Sequence, residues 1–479
     1  MAKNENQFVN EIADFNTAFP EWYTDVVIKT QLCDYGPVKG TMVFRPYGYA
    51  IWEHLQRQLD ERIKKEGHQN AYFPILIPES FLNKEKEHVE GFAPEVALVT
   101  HIGNEELSEK LILRPTSETI MGHMFSKWIQ SYRDLPLLIN QWANVIRMEK
   151  TTRPFLRTSE FLWQEGHTLH ETEKEAREHA LKMLNVYVDF LSEVLELPCI
   201  AGKKSEIEKF AGAVETYGIE CMMHDGKSLQ SGTSHYLGQN FSKAFDIQFL
   251  NRDNKLEYCY YTSWGVTTRL IGALIMVHGD QRGLSLPPKV APVQVVIVPI
   301  QQQKDGVLDV ANKMKKQLEN INVRVFLDDR DASPGWKFNE SEMKGMPIRL
   351  EVGPRDIENN QCILVRRDSG EKIQTSIDEI ETKIPELLDN IQKEMYSKAK
   401  KYMEERIVVC KSLEEIGKAL DEKKFAKVMW CGEENCEQII KDKFQATSRV
   451  MPFGEEPFDD VCPICGKKAK HVMIFARAY

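Results

Sequence analysis

Apolar residues fall four apart at Ile51, Leu55, Leu59 and Ile63, the stripe of an amphipathic helix, and Gly67 supplies a C-terminal stop. The following "AYFPILIPES" is strand-like, but Pro74 and Pro78 confine it to an edge, a bulge or an interface. From Leu135 the period drops to two. The segment "LPLLINQWANVIRMEKTTRPFLRTSEFLWQEGHTLH" predicts two long strands joined by the polar loop "KTTRP". Residues 171–198 predict a long helix opened by acids and closed before Pro198. Residues 228–290 mix strands with "WGVTTRLIGALIMVHG", a glycine-bounded helical run. After "SLPPKVAP" the texture changes to strands at "VQVVIVPI", "NVRVFLDD", "IRLEVG", "QCILVRRD" and "KIQTSI". Helices are predicted at "DGVLDVANKMKKQLEN" and "WKFNESEMKG", which makes a small α/β domain of about 95 residues. A charged helix then leads into a cysteine-bearing tail. The class is α/β (α+β), with no internal repeat.

The second strand of the 135–170 hairpin turns Phe161, Trp163, Glu165 and His167 onto one face, and Arg147 and Glu149 share a face of the first. Burying such a face requires partners for its charges. Two further polar clusters argue that the partner is a ligand. In "LRPTSET", Thr116 and Glu118 are two apart and suit a substrate ammonium group, although T-x-E alone also caps ordinary helices. Between "SLQSGTSHYLGQ" and "TSWGVTTRLIGA", Gln230, Thr233 and His235 offer polar contacts, and Arg269 opens a helix where the dipole favours anions. There is no G-x-x-x-x-G-K-[ST] and no strand-borne G-x-G-x-x-G, so a nucleotide here is not held by a P-loop or a Rossmann turn.

Composition narrows the class. The 479 residues suffice for roughly two to four domains. A formal net charge of −10 argues against wholesale nucleic-acid binding, so a nucleic-acid partner must meet local basic patches. The opening "MAKNENQFVN" lacks a signal-peptide apolar run, and "VAPVQVVIVPI" falls short of the ~20 residues of a membrane span. A cytoplasmic protein without a membrane partner is expected, with its cysteines reduced or metal-bound. Four of them, Cys431, Cys436, Cys462 and Cys465, cluster near the end in "WCGEENCEQ" and "CPICG". The Cys-Pro-x-Cys-Gly knuckle is a zinc half-site, and the looser Cys431/Cys436 pair completes a tetrahedron. Without a thioredoxin-like context a redox centre is a poor reading. A closed four-thiolate site is structural, here expected to contribute on the order of ten kcal/mol to a tail with little core.

Together these segments resemble class II aminoacyl-tRNA synthetases. Arg147-Met-Glu149, the loop, Arg157 and Phe161 are similar to motif 2. The glycine-rich segment ending at Arg269 is similar to motif 3, and the helix leading to Pro74-Ile75-Leu76 to motif 1. "RPTSET", "FLRTSEFLWQEGHT", "GTSHYLGQNFSK" and "SWGVTTR…MVHGDQRGLSLPP" narrow the resemblance to the prolyl-tRNA synthetase family over nearly the whole chain. The position before Arg147 is Ile146, where the class pattern often has Phe.

The resemblance implies an antiparallel-sheet catalytic domain over 1–288, with motif 1 near 45–78, motif 2 near 136–168 and motif 3 near 260–288. An anticodon-binding domain over 289–385 and a zinc-binding domain over 386–479 follow. It implies that Arg147 holds the α-phosphate and the amino-acid carboxylate. Arg157 and Arg269 meet the outer phosphates or the adenine, Phe161 stacks on the purine, and Glu149 lies near the adenine amino group. Gln230, Thr233 and Thr267 complete the ATP site with phosphate-bound Mg²⁺. Thr116 and Glu118 take the proline imino group, and Trp163, Phe210 and His235 line the ring pocket with Glu165 and His167 in support. Arg147 and Arg269 are the catalytic pair. The chemistry agrees: an in-line attack on phosphorus needs two anions positioned and charge stabilised, not a protein nucleophile or general base. Partners implied are ATP, L-proline, tRNA(Pro) and a second copy of the chain through motif 1.

Only about a hundred residues separate motif 2 from motif 3, leaving no room for the editing insertion of the bacterial-type branch. Discrimination then rests on the pocket or on a separate editing protein. For the anticodon, Glu342, Arg349 and Asp356 are candidates for base edges, and Arg366 and Arg367 for phosphate. The terminal Tyr479 carboxylate is expected to tuck toward the catalytic domain. Two rivals are a catalytically dead synthetase-like regulator and a nucleic-acid-binding protein led by its zinc tail. The presence of Arg147, Arg269, Thr116 and Glu118 argues against the first, and the ATP-type constellation against the second.

Overall fold

The computed structural model describes residues 12–81 and 96–479. The four-residue stripe becomes the helix Pro46–Lys65, with Ile51, Leu55, Leu59 and Ile63 fully buried and a proline in its first turn. Among the described residues the largest sheet has eight strands. Toward one side of it the period-two segments pair as an antiparallel hairpin, Leu137–Ile146 with Glu160–His170, in continuous register from Leu137 opposite Leu169 to Ile146 opposite Glu160. The sheet continues antiparallel through Tyr260–Thr267, Ser228–Gly238, Glu215–Met222 and Ile200–Lys203. Beyond the hairpin's other side, Gln69–Asn70 adds a short parallel edge.

The long helix Glu173–Glu193 begins at Thr172, whose hydroxyl accepts from the Glu175 amide, and packs Ala176, Ala180, Met183, Leu184 and Tyr187 over one sheet face. The opposite face is left for the site. The proline-bearing segment 71–80 supplies Leu76–Pro78, an edge strand of a separate small sheet beside Glu105–Leu113, as its prolines require. The predicted helical run over 264–279 divides: Trp264 to Thr267 complete the strand Tyr260–Thr267, and only Arg269–His278 is helical. Likewise the first hairpin strand stops at Ile146, so Arg147 and Glu149 stand just beyond it in the connecting loop.

The second domain has every strand and both helices read from the sequence, with Val295–Pro299 parallel to Val325–Leu327 and Ile348–Val352. The helix Ile380–Glu404 runs through residue 385, where the sequence placed a boundary. Its Ile384, Leu387, Leu388 and Ile391 lie in the second domain's core, and only its last turns, around Met403, pack on the C-terminal region.

The cysteine-bearing tail is not the core-poor appendage expected. It forms a sheet ordered Ile407–Cys410, Phe425–Trp430, His471–Ala476, Thr447–Ser448, flanked by helices Leu413–Asp421 and Glu434–Phe444. Ile416, Leu420, Val428, Met473 and Phe475 form a buried core of their own. The strand Met451–Pro452 then leaves this unit and pairs with Ile200–Lys203 at the edge of the catalytic sheet. The last residue docks on that sheet too: the Tyr479 amide donates to Ser228 O at 3.1 Å, and its hydroxyl to Asp225 at 2.7 Å.

Candidate active site

A cavity of ≈ 310 Å³ opens on the uncovered face of the central sheet. Every residue assigned above to ATP, proline or catalysis lines it. Four strands and the hairpin loop each contribute one row, which is why positions from 116 to 269 converge there.

One end is acidic and closely hydrogen-bonded. Ser117 stands immediately before the helix Glu118–Trp128, which places the Glu118 carboxylate in its first turn, where the helix dipole favours a negative charge. The Thr116 hydroxyl donates to Glu118 Oε2. Beside it, Glu165 Oε1 accepts from Ser117 Oγ at 2.5 Å and Gln141 Nε2 at 2.7 Å, and Glu165 Oε2 lies 3.0 Å from His167 Nε2. The other ring nitrogen of His167 meets the Tyr261 hydroxyl at 2.9 Å. Burial opposes protonation of His167, but its hydrogen bond to Glu165 and the charges of Glu165 and Glu118 raise its pKa overall. His235, without such a partner, is pushed down to about 3 by burial and the neighbouring His167, so it is neutral. Its Nδ1 meets Thr216 Oγ1 at 3.0 Å, and its ring packs on Phe210 with centroids 4.7 Å apart. Trp163 closes this end, its buried indole N–H lacking an acceptor within the described residues and so available to a ligand.

The other end is basic. Arg147 donates from Nε to Pro115 O at 2.9 Å, and its guanidinium lies 5.4 Å from the Phe161 ring centre and 5.5 Å from that of Trp163. Arg269, first residue of its helix, is fixed by Leu156 O at 3.2 Å and Gln230 O at 3.3 Å. Burial and the nearby Arg157 bring its pKa down to about 10, with Arg147 adding to the repulsion. It remains charged at neutral pH. Arg157 is presented by a tight turn in which Arg153 and Arg157 exchange backbone hydrogen bonds of 2.7 and 3.0 Å. The buried Tyr23 hydroxyl holds that turn through Pro154 O at 2.6 Å. Among the described residues none of the three guanidinium groups is in a salt bridge, although Glu118, Glu165 and Glu149 lie near enough to favour the charge on Arg147, and the three together make an anion site.

Away from the cavity, the Sγ atoms of Cys431, Cys436, Cys462 and Cys465 all lie within 4.8 Å of one another. The Cys431–Cys436 and Cys431–Cys465 separations are both 3.6 Å. A tetrahedron with Zn–S bonds of about 2.3 Å has edges of about 3.8 Å, so the thiol set fits zinc with little movement.

The anticodon candidates fare differently. Arg349 and Glu342 pair at 3.0 Å, with Arg349 also held by Glu351 at 2.9 Å and lying 4.1 Å from the Phe338 ring centre. Asp356 caps a short helix by accepting from the Gly353 amide at 2.8 Å. Arg366 is buried and paired with Asp368 and Glu394 at 2.7 and 2.6 Å, and Arg367 is buried against Asp280. The polar groups of these last three are thus engaged within the protein, as those of Arg349 and Glu342 are with each other.

Comparison with known proteins agrees with this geometry. Residues 99–278 match the family model described as tRNA synthetase class II core domain (G, H, P, S and T), and residues 294–387 match the anticodon binding domain. Residues 413–479 match the prolyl-tRNA synthetase C-terminal model. A proline--tRNA ligase of Alkaliphilus oremlandii is 57% identical over 481 residues, covering 100% of both chains. The chain belongs to the prolyl-tRNA synthetase family. One from Clostridium botulinum (strain Loch Maree / Type A3) is 56% identical over 480 residues with the same coverage. A crystal structure of prolyl-tRNA synthetase from Cryptosporidium parvum, complexed with halofuginone and AMPPNP, matches with a TM-score of 0.94 at 44% identity, covering 98% of this chain and 99% of that one. The protein is thus a ligase that joins proline to tRNA at the expense of ATP. The cavity wall also includes residues that sequence reasoning missed: Glu208, Thr216 and Ser263. Ser263 was within reach, since its strand alternates with Gly265 and Thr267 on the cavity side; Glu208 sits in an irregular segment that carries no periodicity.

Proposed function

We propose that proline and ATP occupy opposite ends of this one cavity. The carrying observation is its polarity: the hydrogen-bonded carboxylates Glu118 and Glu165 at one end, and Arg147, Arg157 and Arg269 at the other. Thr116 and Glu118 receive the proline imino group, with Glu165 and His167 holding that wall in place. Trp163, Phe210 and the neutral His235 enclose the ring. Arg147, between the two ends, orients the proline carboxylate against the α-phosphate. Phe161 stacks on the adenine, Glu149 faces its amino group, and Arg157, Arg269, Gln230, Thr233 and Thr267 take the triphosphate. Mg²⁺ enters with the substrate's phosphates and screens their charge. The carboxylate attacks the α-phosphorus in line, pyrophosphate leaves, and the terminal ribose hydroxyl of tRNA(Pro) takes the prolyl group from the adenylate. The fixed arginines supply the stabilisation of charge at phosphorus that this requires. The AMPPNP of the Cryptosporidium structure, an ATP analogue, supports the nucleotide assignment. The test is proline-dependent ATP–pyrophosphate exchange with single substitutions at each end, read as separate KM values for proline and ATP.

The four-cysteine cluster is proposed to hold a structural Zn²⁺, supported by its thiol spacing. A homodimer through motif 1 is supported by the outward-facing Tyr35, Val43, Tyr72 and Leu76 around it. A cytoplasmic location and a separate editing protein complete the reading, and among the described residues no helix is long and apolar enough to cross a membrane. Within the second domain, Arg349 and Glu342 remain the proposed anticodon contacts.

A further inference from the structure

Arg367 is spent neither on substrate nor on solvent. Its side chain is buried, and its guanidinium donates to both oxygens of Asp280, Nη2 to Oδ1 at 2.7 Å and Nη1 to Oδ2 at 2.8 Å. Its remaining Nε donates to Glu342 O at 2.7 Å. One side chain thus fastens two segments of different domains. Asp280 stands two residues past the helix Arg269–His278, and Glu342 lies in the last turn of Pro334–Met343.

The first of those helices begins with the phosphate-end arginine. Its residues from Leu270 to Met276 are all buried, and it spans only about 15 Å at 1.5 Å per residue, so its two ends move together. The second carries Glu342, partner of Arg349 on the proposed anticodon face. The seam between them is close-packed backbone on backbone. Leu284 N donates to Met343 O at 2.9 Å and Leu286 N to Gly345 O at 3.2 Å. Gly283 and Gly345 have φ of +118° and +67°, and a Cβ on either would stand 2.7 Å from the facing Met343 or Leu284 backbone. The seam admits no slack of its own; among the described residues the Arg367–Asp280 pair is the only ion pair that spans it, beside a hydrogen bond of 3.0 Å from Arg282 Nη2 to Arg367 O.

We infer that Arg367 and Asp280 are positioning residues that couple anticodon-domain engagement to the phosphate end of the active site. A shift of the helix Pro334–Met343 on tRNA binding is passed through Glu342 O, Arg367 and Asp280 to the helix that begins with Arg269. This rests on the reading that the 334–352 face meets the anticodon.

The test uses Arg367→Lys, which keeps the charge and loses the forked geometry, and the isosteric Asp280→Asn, whose one carbonyl oxygen can still accept from the Arg282 amide while the ion pairs are lost. Full-length wild-type, single and double variants are assayed for charging of a tRNA(Pro) transcript and of one with substituted anticodon bases. Melting temperature and tRNA-free ATP–pyrophosphate exchange serve as controls. Each single variant is expected to lose about tenfold of the wild-type preference for the intact anticodon, in kcat and not in KM for tRNA. The double variant is expected to lose no more, and tRNA-free exchange to stay within about twofold. An unchanged preference in D280N, an equal slowing of both transcripts, or a loss confined to KM would overturn the inference. A wild-type enzyme without anticodon preference would overturn the anticodon reading itself, and is distinguishable because it requires no substitution.

Discussion

Glu165 and His167 project from the same face of one strand, with Glu165 Oε2 3.0 Å from His167 Nε2 and both side chains almost wholly buried. The remaining polar atoms of both groups are also engaged, by Ser117, Gln141 and Tyr261, so the pair is a rigid wall and not a mobile acid–base couple.

This relationship sets the first prediction. Glu165→Gln removes the charge that offsets burial, so His167, which in the wild type titrates above its ordinary value, should fall below it. Because the folded-state pKa is raised, the His167 contribution to stability is present below pH ~6.5 and fades as pH rises through the folded value. Imidazole NMR titration checks this, and an unmoved His167 resonance in the variant contradicts it. The proline KM should rise about tenfold, with the ATP KM unchanged.

The four thiols predict about one zinc per chain by elemental analysis. Since the C-terminal unit has its own core of Ile416, Val428 and Phe475, chelation should loosen the 431–465 segment and lower the melting temperature without unfolding the catalytic domain. A metal ratio well below one, or unchanged proteolysis of that segment after chelation, contradicts the assignment.

That core also marks where sequence reading ran short. The motif 1 helix and the long hairpin were legible because Ile51 to Ile63 and Phe161 to His167 repeat at 3.6 and 2 residues, and those periods name a face without knowledge of its neighbour. The active-site rows followed from that alternation. The tail's strands are short and interleaved with charges, and their partners, such as Val428 opposite Met473, lie far apart in sequence. The partner of Arg367 is hidden in the same way: nothing local to it announces Asp280, 87 residues earlier. An arginine in a basic doublet looks the same whether it meets phosphate or a buried carboxylate.

Several buried and half-buried histidines should make the protein acid-sensitive. Burial, with His68 adding for His170, brings His170 down to about 4; burial, with His170 and His68 adding, brings His179 down to about 3. Burial likewise brings His224 and His278 down to about 4. These folded-state values lie below the unfolded one, so the unfolded chain binds more protons between pH ~6.5 and ~4 and stability falls as pH falls through that window. Urea midpoints at pH 7, 6 and 5 should decline progressively, and the decline should be shallower in His179→Gln. A flat profile contradicts the buried-neutral reading.

A ring pocket of Trp163, Phe210 and His235 distinguishes a missing methylene by only about 1–3 kcal/mol. Alanine and cysteine at high concentration should therefore be activated measurably, visible as amino-acid-dependent pyrophosphate exchange. Absence of both adenylates would show that the pocket excludes smaller side chains by itself.

The division of the cavity into a proline end and a phosphate end is tested most directly by pyrophosphate exchange with Glu118→Gln and Arg269→Gln measured side by side. Loss of the charged partner should raise the proline KM of the first about 100-fold and leave its ATP KM within about threefold. The second should lower kcat about 100- to 1,000-fold, weaken ATP and leave proline binding in place. If Glu118→Gln weakens ATP as much as proline, or Arg269→Gln weakens proline alone, the two ends have been assigned wrongly.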